Sequence, residues 1–192
     1  MISLISAGID SPVSSYLAEN ELVFLHFRQK NSDIFVKKII DVLLKNGVIS
    51  HRLIVVNHDR IISNIKNFCN KKEMCVYCKA SMLVLAETLA EKFGCKAVVT
   101  GDNLGQVASQ TLPNLRSEES LIEIPVIRPL IGLDKNEIID LAKKIGTYSI
   151  STNFKNECMY APKHPVTGGC TVKHEIKDVV KQVYFVEYEI EL

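Results

Sequence analysis

Short runs of β-branched and aliphatic residues alternate with amphipathic stretches along most of the chain. This alternation predicts βαβ units built on a mainly parallel sheet. The strand-like runs are Ile2–Ser6, Leu22–Phe27, His51–Val56, Lys96–Thr100 and Pro125–Leu130. The helical stretches are Pro12–Glu19, Ile34–Asn46, Asp59–Asn70, Cys78–Phe93, Gln106–Leu115 and Lys135–Ile145. The predicted fold class is therefore α/β, with a doubly wound, mostly parallel sheet of about five strands.

The pattern weakens after residue 148. Ser149–Asn156 is polar, and Ala161–Gly169 contains two prolines and two glycines. A strand-like run, Val183–Ile190, then closes the chain. We expect one domain over residues 1–148 and an extension of the same domain over residues 149–192.

A polar loop follows the first predicted strand and leads into a helix; it spans Ser6–Ser11 with the sequence SAGIDS. The N–H groups and the dipole at the start of a helix favour a bound phosphate. The Asp10 carboxylate could hold Mg²⁺ against a pyrophosphate group. The same residues would also suit an ordinary strand–helix turn in which Asp and Ser cap the helix.

A second loop follows the fourth predicted strand and spans Thr100–Thr111, with the sequence TGDNLGQVASQT. Its two glycines and its side-chain amides would allow a nucleotide to approach the backbone closely. The alternative is a strand–turn–helix connector capped by Asp102 or Asn103. Because loops after parallel strands lie at one edge of the sheet, we expect both loops to meet over one nucleotide site.

The first loop resembles the Ser-Gly-Gly-x-Asp-Ser fingerprint of PP-loop ATP-pyrophosphatases. It departs from that fingerprint at Ala7, whose methyl group disfavours a positive φ, so the loop geometry or the phosphate fit could differ from that of the family. The whole chain resembles the tRNA 4-thiouridine synthetase family, PP-loop sulfurtransferases also tied to thiamine biosynthesis. The resemblance rests on the second loop and on Leu4–Ser6, Cys78-Lys79, Met82, Ile127–Gly132, Asp134-Lys135, Ile145–Thr147 and Ala161–Pro165.

The resemblance implies a two-step reaction and roles for individual residues. ATP would adenylate O4 of a tRNA uridine with release of pyrophosphate, and sulfur would then displace AMP at C4. Asp10, Lys135 and Cys158 would be catalytic, with the lysine offsetting charge that builds on the phosphate. Read without the resemblance, Lys79 and Lys135 are solvent-exposed helix lysines. ATP would be bound by Leu4, Ile5, Ser6, Gly8, Asp10, Ser11, His26, Phe27, Lys79, Gly101 and Gln110, with His26 and Phe27 at the adenine.

Among the six cysteines, Cys75 and Cys78 form a CxxC motif just before the predicted fourth helix. Two thiolates within one turn can hold one metal centre, and further ligands must come from elsewhere in the fold. In the resemblance, Cys75, Cys78 and Cys158 bind an iron–sulfur cluster whose open iron holds hydrosulfide. Two alternatives are zinc on the same cysteines with Cys170 or His164, and a persulfide on Cys158. Cys95, just before an apolar run, is interpreted as a core residue.

Composition and charge narrow the choice of partners. The 192 residues are 47% hydrophobic and 23% charged, as in globular proteins. No apolar run approaches the roughly 20 residues that cross a bilayer, and Met1 leads straight into a strand rather than a signal peptide. We therefore expect a cytoplasmic protein with no membrane partner and no structural disulfide.

The net charge of +1 predicts weak RNA binding by this chain alone. We expect tRNA to be recognised through a separate RNA-binding chain or domain, because the sequence begins at the predicted catalytic domain. A sulfur donor is a further expected partner, and an oligomer is compatible with the sequence. Three functions stay open: a tRNA-uridine sulfurtransferase using ATP, Mg²⁺ and an iron–sulfur cluster; a PP-loop ligase or thiolase acting on another nucleobase or small molecule; and a non-catalytic nucleotide-binding subunit with a structural metal.

Overall fold

The computed structural model describes residues 1–19, 21–105, 107, 110–154 and 158–190. Its strands are β1 (Ile2–Leu4), β2 (Leu22–Arg28), β3 (Ser50–Asn57), β4 (Val98–Val99), β5 (Val126–Ile127) and β6 (Phe185–Glu189). Its helices are α1 (Asp10–Leu17), α2 (Ser32–Lys45), α3 (His58–Ile65), α4 (Met74–Phe93), α5 (Leu112–Glu118), α6 (Lys135–Ile145), α7 (Tyr148–Asn153) and α8 (Ile176–Lys181).

The strands form one sheet in the order β5-β4-β1-β2-β3-β6. The first five strands pair in parallel, and β6 lies antiparallel to β3. The chain moves outward from β1 to β3 and then returns to the other side of β1 for β4. The predicted doubly wound, mostly parallel fold is confirmed, but the described residues give six strands rather than five because the closing run joins the sheet.

Helices cover both faces of the sheet, as the alternating side chains of β3 show. Leu53 and Val55 pack into a core that includes residues of α1, α2 and α6. Ile54 and Val56 pack into the opposite core, with residues of α3, α4 and α8. A strand buried on both faces reads as a nearly continuous apolar run, which is the pattern seen in the sequence.

Helix α4 begins earlier than the sequence predicted. It starts at Met74, so Cys75 and Cys78 lie in its first turns, on the helix that carries Lys79, and do not precede it. The expectation was wrong because it missed the start signal at Asn70 and Glu73: the Asn70 side chain accepts from the N–H of Glu73, and the Glu73 carboxylate accepts from the N–H of Asn70. The helix ends at Gly94 in the left-handed conformation, as the Phe93-Gly94 pair indicated. In the described part of the chain, no helix is both long and apolar enough to span a bilayer.

Other boundaries also differ from the sequence prediction. Helix α5 begins after Thr111, whose hydroxyl accepts from the N–H of Asn114, and the described residues Val107 and Gln110 of the predicted helix are not helical. Gln106, Ala108 and Ser109 lie outside the described residues, as do residues 155–157. Helix α3 stops at Ile65. The short helices α7 and α8 were not predicted, because six residues carry too little periodicity to identify a helix.

Candidate active site

A cavity of 420 Å³ opens at the carboxyl edge of the sheet, between the loops after β1 and β4. Ligands of doubly wound proteins bind at this edge, where the strand order reverses. Cys158 and Gln29 also line the cavity. All residues expected to bind ATP line it: Leu4, Ile5, Ser6, Gly8, Asp10, Ser11, His26, Phe27, Lys79, Gly101 and Gln110.

The loop after β1 is held by its own serines. The Ser11 hydroxyl lies 2.8 Å from the Ser6 hydroxyl and accepts from the Ser6 N–H at 2.8 Å. Ser151 of α7 donates to the carbonyl oxygen of Gly8 at 3.1 Å. Helix α1 begins at the end of this loop, and its N-cap residue, Ile9, makes no side-chain capping bond. Because the first N–H groups of a helix have no partner within it, this helix start is suited to a phosphate.

Ala7 fits the loop without a positive φ, so the loop backbone carries no strain at this departure from the fingerprint. In the described residues, the non-glycine positions with positive φ are Glu19 and Lys30, so Ala7 is not in the left-handed region. Its side chain is buried in the core beside α1, α2 and α6. The methyl group that distinguishes this loop from the fingerprint therefore points into the core.

The two predicted loops do meet, and Gly101 is the point of closest approach. A Cβ atom at Gly101 would lie 2.8 Å from the backbone nitrogen of Ser11 and 2.9 Å from its Cα. The Ser14 hydroxyl, one turn further along α1, donates to the carbonyl oxygen of Thr100 at 2.7 Å. Only a residue without a side chain allows this contact.

Lys79 is held by a buried carboxylate at the wall of the cavity. Its Nζ lies 2.5 Å from Oδ1 of Asp102, which also accepts from Thr100 Oγ1 at 2.7 Å and Arg128 Nε at 3.3 Å through Oδ2. Burial by itself would raise the pKa of Asp102, but the Lys79 ammonium and these hydrogen bonds lower it to about 2. Asp102 therefore keeps its charge and orients Lys79, so the exposed helix lysine of the simpler interpretation is not observed.

Lys135 lies next to this cavity through its contact with Asp10, which lines it. It is the first residue of α6, and its Nζ lies 2.6 Å from Oδ1 of Asp10. A cation at the positive end of a helix dipole is unfavourable unless an anion is nearby. Asp10 supplies that anion, and the pair places a lysine beside the start of α1.

His26 uses both ring nitrogens inside the protein. Nδ1 donates to the carbonyl oxygen of Ile5 at 2.9 Å, because that oxygen can only accept. Nε2 then accepts from the Ser32 hydroxyl at 2.8 Å. Burial lowers the pKa of His26 to about 4, in agreement with a neutral ring. His26 thus fixes the shape of the wall where adenine was expected, next to Phe27.

A second, largely apolar cavity of 180 Å³ adjoins the first and is lined by Cys75, Cys78 and Cys158. Burial raises the pKa of Cys75 and Cys78, and the nearby Cys158 raises both further. All six cysteines are free thiols, and Cys170 lines a different cavity. Across the described ranges, no three Cys, His, Asp or Glu side chains are arranged as ligands of one metal ion.

The two cavities share four lining residues. The sequence analysis missed one of these, Gln29, and also His58, which lines the cysteine cavity. The shared residues are Gln29, Lys79, Met82 and Cys158. His58 Nε2 lies 3.2 Å from the sulfur of Cys78, and Gln29 Nε2 lies 3.8 Å from that of Cys158. Both residues follow directly after strands, which was the one signal available in the sequence.

The fold and the paired loops define a PP-loop nucleotide-binding protein of the ATP-pyrophosphatase type. The family described as Thiamine biosynthesis protein (ThiI) matches residues 1–187, and the chain belongs to this family. A relative from Methanocaldococcus jannaschii, named "Probable tRNA sulfurtransferase", is 41% identical over 97% of this chain and 50% of its own length. The chain thus spans about half the length of the curated relatives it matches.

Two solved structures are similar to this fold. One is a 4-thiouridine synthetase–RNA complex with bound ATP, with a TM-score of 0.83 and 33% identity over 97% of this chain and 54% of that one. The other is the U34-tRNA thiolase of Methanococcus maripaludis with its [4Fe-4S] cluster. Its TM-score is 0.50 and its identity 15% over 94% of this chain and 63% of that one, a likeness of fold alone.

Proposed function

We propose that this chain is the catalytic part of an ATP-dependent tRNA sulfurtransferase that adenylates O4 of a uridine and replaces that oxygen with sulfur, forming 4-thiouridine. The observation that carries the proposal is the junction of the two cavities. Lys79 and Cys158 line both the cavity suited to a nucleotide and the cavity lined by three thiols. A reaction that joins nucleotide chemistry to sulfur chemistry needs both sites within reach of one substrate atom.

In the first step the nucleotide cavity would bind ATP and activate the uridine. The start of α1 would hold phosphate oxygens through backbone N–H groups, and Asp10 would hold Mg²⁺. O4 of the uridine would attack the α-phosphorus, and pyrophosphate would leave. Lys79 and Lys135, each already held by a carboxylate, would offset the charge that develops on the phosphates.

In the second step a sulfur nucleophile would attack C4, and AMP would leave with the former O4. Cys158 lies at the junction between the cavities, so sulfur held there would be next to the activated carbon. The solved 4-thiouridine synthetase with RNA and ATP supports tRNA as the substrate of this family member. The nucleophile would be hydrosulfide, so the exchange of oxygen for sulfur at C4 needs no oxidant or reductant.

The cysteine cavity suits an iron–sulfur cluster in its donor set. Three thiols line one cavity whose other walls include Ile62 and Met74, and soft sulfur ligands select iron–sulfur clusters or zinc. Cys75, Cys78 and Cys158 would be the ligands. A four-iron cluster with three cysteine ligands supplies an open iron that can hold hydrosulfide. Cys170, expected as a fourth ligand of zinc, lies elsewhere.

We also propose that residues 149–192 act as an extension of the catalytic domain. This is supported by β6, which pairs with β3, and by α8, which packs in the core beside α3 and α4. Tyr160 and Cys158 of the same segment line the cysteine cavity.

The test is anaerobic purification, assay of iron, sulfide and zinc, and incubation with ATP, sulfide and bulk tRNA. We expect ATP-dependent pyrophosphate release and 4-thiouridine in the tRNA nucleosides by mass analysis. Serine at Cys75, Cys78 or Cys158 should remove thiolation but spare ATP binding, whereas serine at Cys95, which packs against the core, should preserve both. Thiolation retained in all three variants would exclude the shared sulfur site. ATP that is neither bound nor cleaved would instead favour the non-catalytic subunit.

A further inference from the structure

Two side chains that follow neighbouring strands connect the cysteine sulfurs. In the register of β2 and β3, Arg28 pairs with Asn57, so the next residues, Gln29 and His58, leave the sheet side by side. Gln29 Nε2 lies 2.9 Å from His58 Nδ1. The sheet register therefore brings a side-chain amide and an imidazole into contact at the mouth of the cysteine cavity.

The direction of each hydrogen bond follows from the chemistry of the donors. Gln29 Nε2 carries two hydrogens and no acceptor, so His58 Nδ1 must accept. An imidazole whose Nδ1 accepts is neutral and carries its proton on Nε2. That N–H faces the sulfur of Cys78 at 3.2 Å. The second hydrogen of the Gln29 amide can be donated to the sulfur of Cys158, at 3.8 Å.

His58 is held in place on several sides. It is 1% exposed and is the first residue of α3, whose N-cap side chain, Asn57, accepts from the N–H of Asp59 at 2.9 Å. The ring of Tyr160 lies 5.8 Å from the imidazole, and the Tyr160 hydroxyl donates to Asp59 at 2.8 Å. A polar ring buried with both nitrogens occupied is a fixed donor rather than a mobile side chain.

We propose that Gln29 and His58 form a dyad of positioning residues that donates N–H bonds to the sulfurs of Cys158 and Cys78. The dyad contacts two of the three sulfurs of the proposed cluster site, and its role toward the cluster rests on the proposed function. Both donors are neutral, so they stabilise charge on sulfur without adding charge to the cavity. Hydrogen bonds to sulfur ligands raise the reduction potential of iron–sulfur clusters, so the dyad would hold the potential higher than bare thiolates would.

The first test uses metal-free protein and does not depend on the cluster. The chain has five histidines, and ¹⁵N spectra of the imidazoles distinguish the two neutral tautomers. We expect His58 to be the Nε2–H tautomer, assigned by the signal lost in His58→Gln. In Gln29→Leu we expect the tautomers to mix, because Nδ1 loses its donor. An Nδ1–H tautomer in the unmutated protein would overturn the dyad.

The second test uses the reconstituted protein. His58→Gln keeps an N–H donor at the position of Nε2, whereas His58→Leu removes it, and His51→Leu, at the exposed start of β3, is the matched control. We expect unchanged iron content in all three, and a midpoint potential that shifts to more negative values in His58→Leu but is restored toward that of the unmutated protein in His58→Gln. ATP binding serves as the check on folding.

The possible failures of the second test are distinguishable. Iron lost in both His58 variants, as in Cys78→Ser, would make His58 a metal ligand and end the donor role. Equal potentials in His58→Leu and the control would also contradict the dyad. Unmutated protein that binds no iron would contradict the proposed cluster instead, and the tautomer would then decide the dyad alone.

Discussion

The two adjoining cavities differ in the charge of the side chains that line them. The charged side chains that line the nucleotide cavity are paired: Asp10 with Lys135, and Lys79 with Asp102. In the cysteine cavity, which shares Lys79 with the first, Cys78 and Cys158 contact neutral donors, and the other walls include apolar side chains. Phosphates need cations that are already oriented. In the structure each of these lysines is held by a carboxylate. Sulfur is a soft ligand, and N–H bonds from neutral side chains orient it without adding charge.

Because of this difference, we expect that a substitution in one cavity changes its function and leaves the function of the other unchanged. Asp10→Ala should lower pyrophosphate release by at least roughly a hundredfold, because Mg²⁺ loses its ligand and Lys135 loses its partner. Iron content of the cysteine cavity should stay unchanged. Asp140→Ala, which removes an exposed ion pair with Lys143 on the same helix as Lys135, is the matched control. Equal loss in both variants would mean that Asp10 acts only on stability.

Gly101→Ala tests whether the close backbone contact between the two loops is needed for the nucleotide cavity. The new Cβ would lie within 3.0 Å of the backbone of Ser11 and Asp10, so the loops must separate. We expect a loss of about 1–3 kcal/mol in the free energy of unfolding and weaker ATP binding, measured by urea denaturation and ATP titration. At Gly132 a Cβ would meet no atom within 4 Å, so Gly132→Ala should have little effect. ATP affinity that is unchanged in Gly101→Ala would contradict the paired-loop site.

Glu118 is a buried acidic residue at the end of α5. Burial raises its pKa to about 8, and its charge would act on both Lys79 and Cys75. Among the described residues, Glu118 Oε2 and Arg128 Nη2 are buried without a hydrogen-bond partner. A carboxyl group in this position is protonated at neutral pH and leaves the balance of charge to the Lys79–Asp102 pair.

The pH dependence of the free energy of unfolding tests whether Glu118 is protonated in the folded protein. Between pH 4.5, the ordinary value for Glu, and about pH 8, the folded protein holds a proton that the unfolded chain has lost. The contribution of Glu118 to the free energy of unfolding is therefore present below pH 4.5 and is lost as the pH rises to 8. Glu118→Gln cannot ionise, so its stability relative to the unmutated protein should rise over that range in urea unfolding. Parallel curves for the two proteins would contradict a protonated Glu118.

The smallest expected effect concerns RNA. With a net charge of +1, the chain alone offers few phosphate contacts, so we expect weak tRNA binding that falls further between low and physiological salt. Fluorescence anisotropy with labelled tRNA at two salt concentrations measures this. Tight, selective binding at physiological salt by this chain alone would show that the surface around the two cavities recognises tRNA directly.

The sequence by itself determined the fold class and the meeting of two distant loops at one cavity. Strands buried on both faces have a continuous apolar pattern, and parallel strands share one carboxyl edge. Two separate loops, 6–11 and 100–111, could therefore be assigned to one site. The helix Lys135–Ile145 was predicted with both ends correct, because the capping box of Asp134 and the left-handed Gly146 mark them.

Contacts between distant parts of the chain were decided only by the tertiary structure. The pairing of Lys79 with Asp102 depends on how α4 packs against β4, and the contact of Gln29 with His58 depends on the register of β2 and β3. The return of Cys158 to the CxxC motif depends on the path of the C-terminal segment. None of these contacts leaves a local pattern, because side chains brought together by sheet register and helix packing have no fixed spacing along the chain.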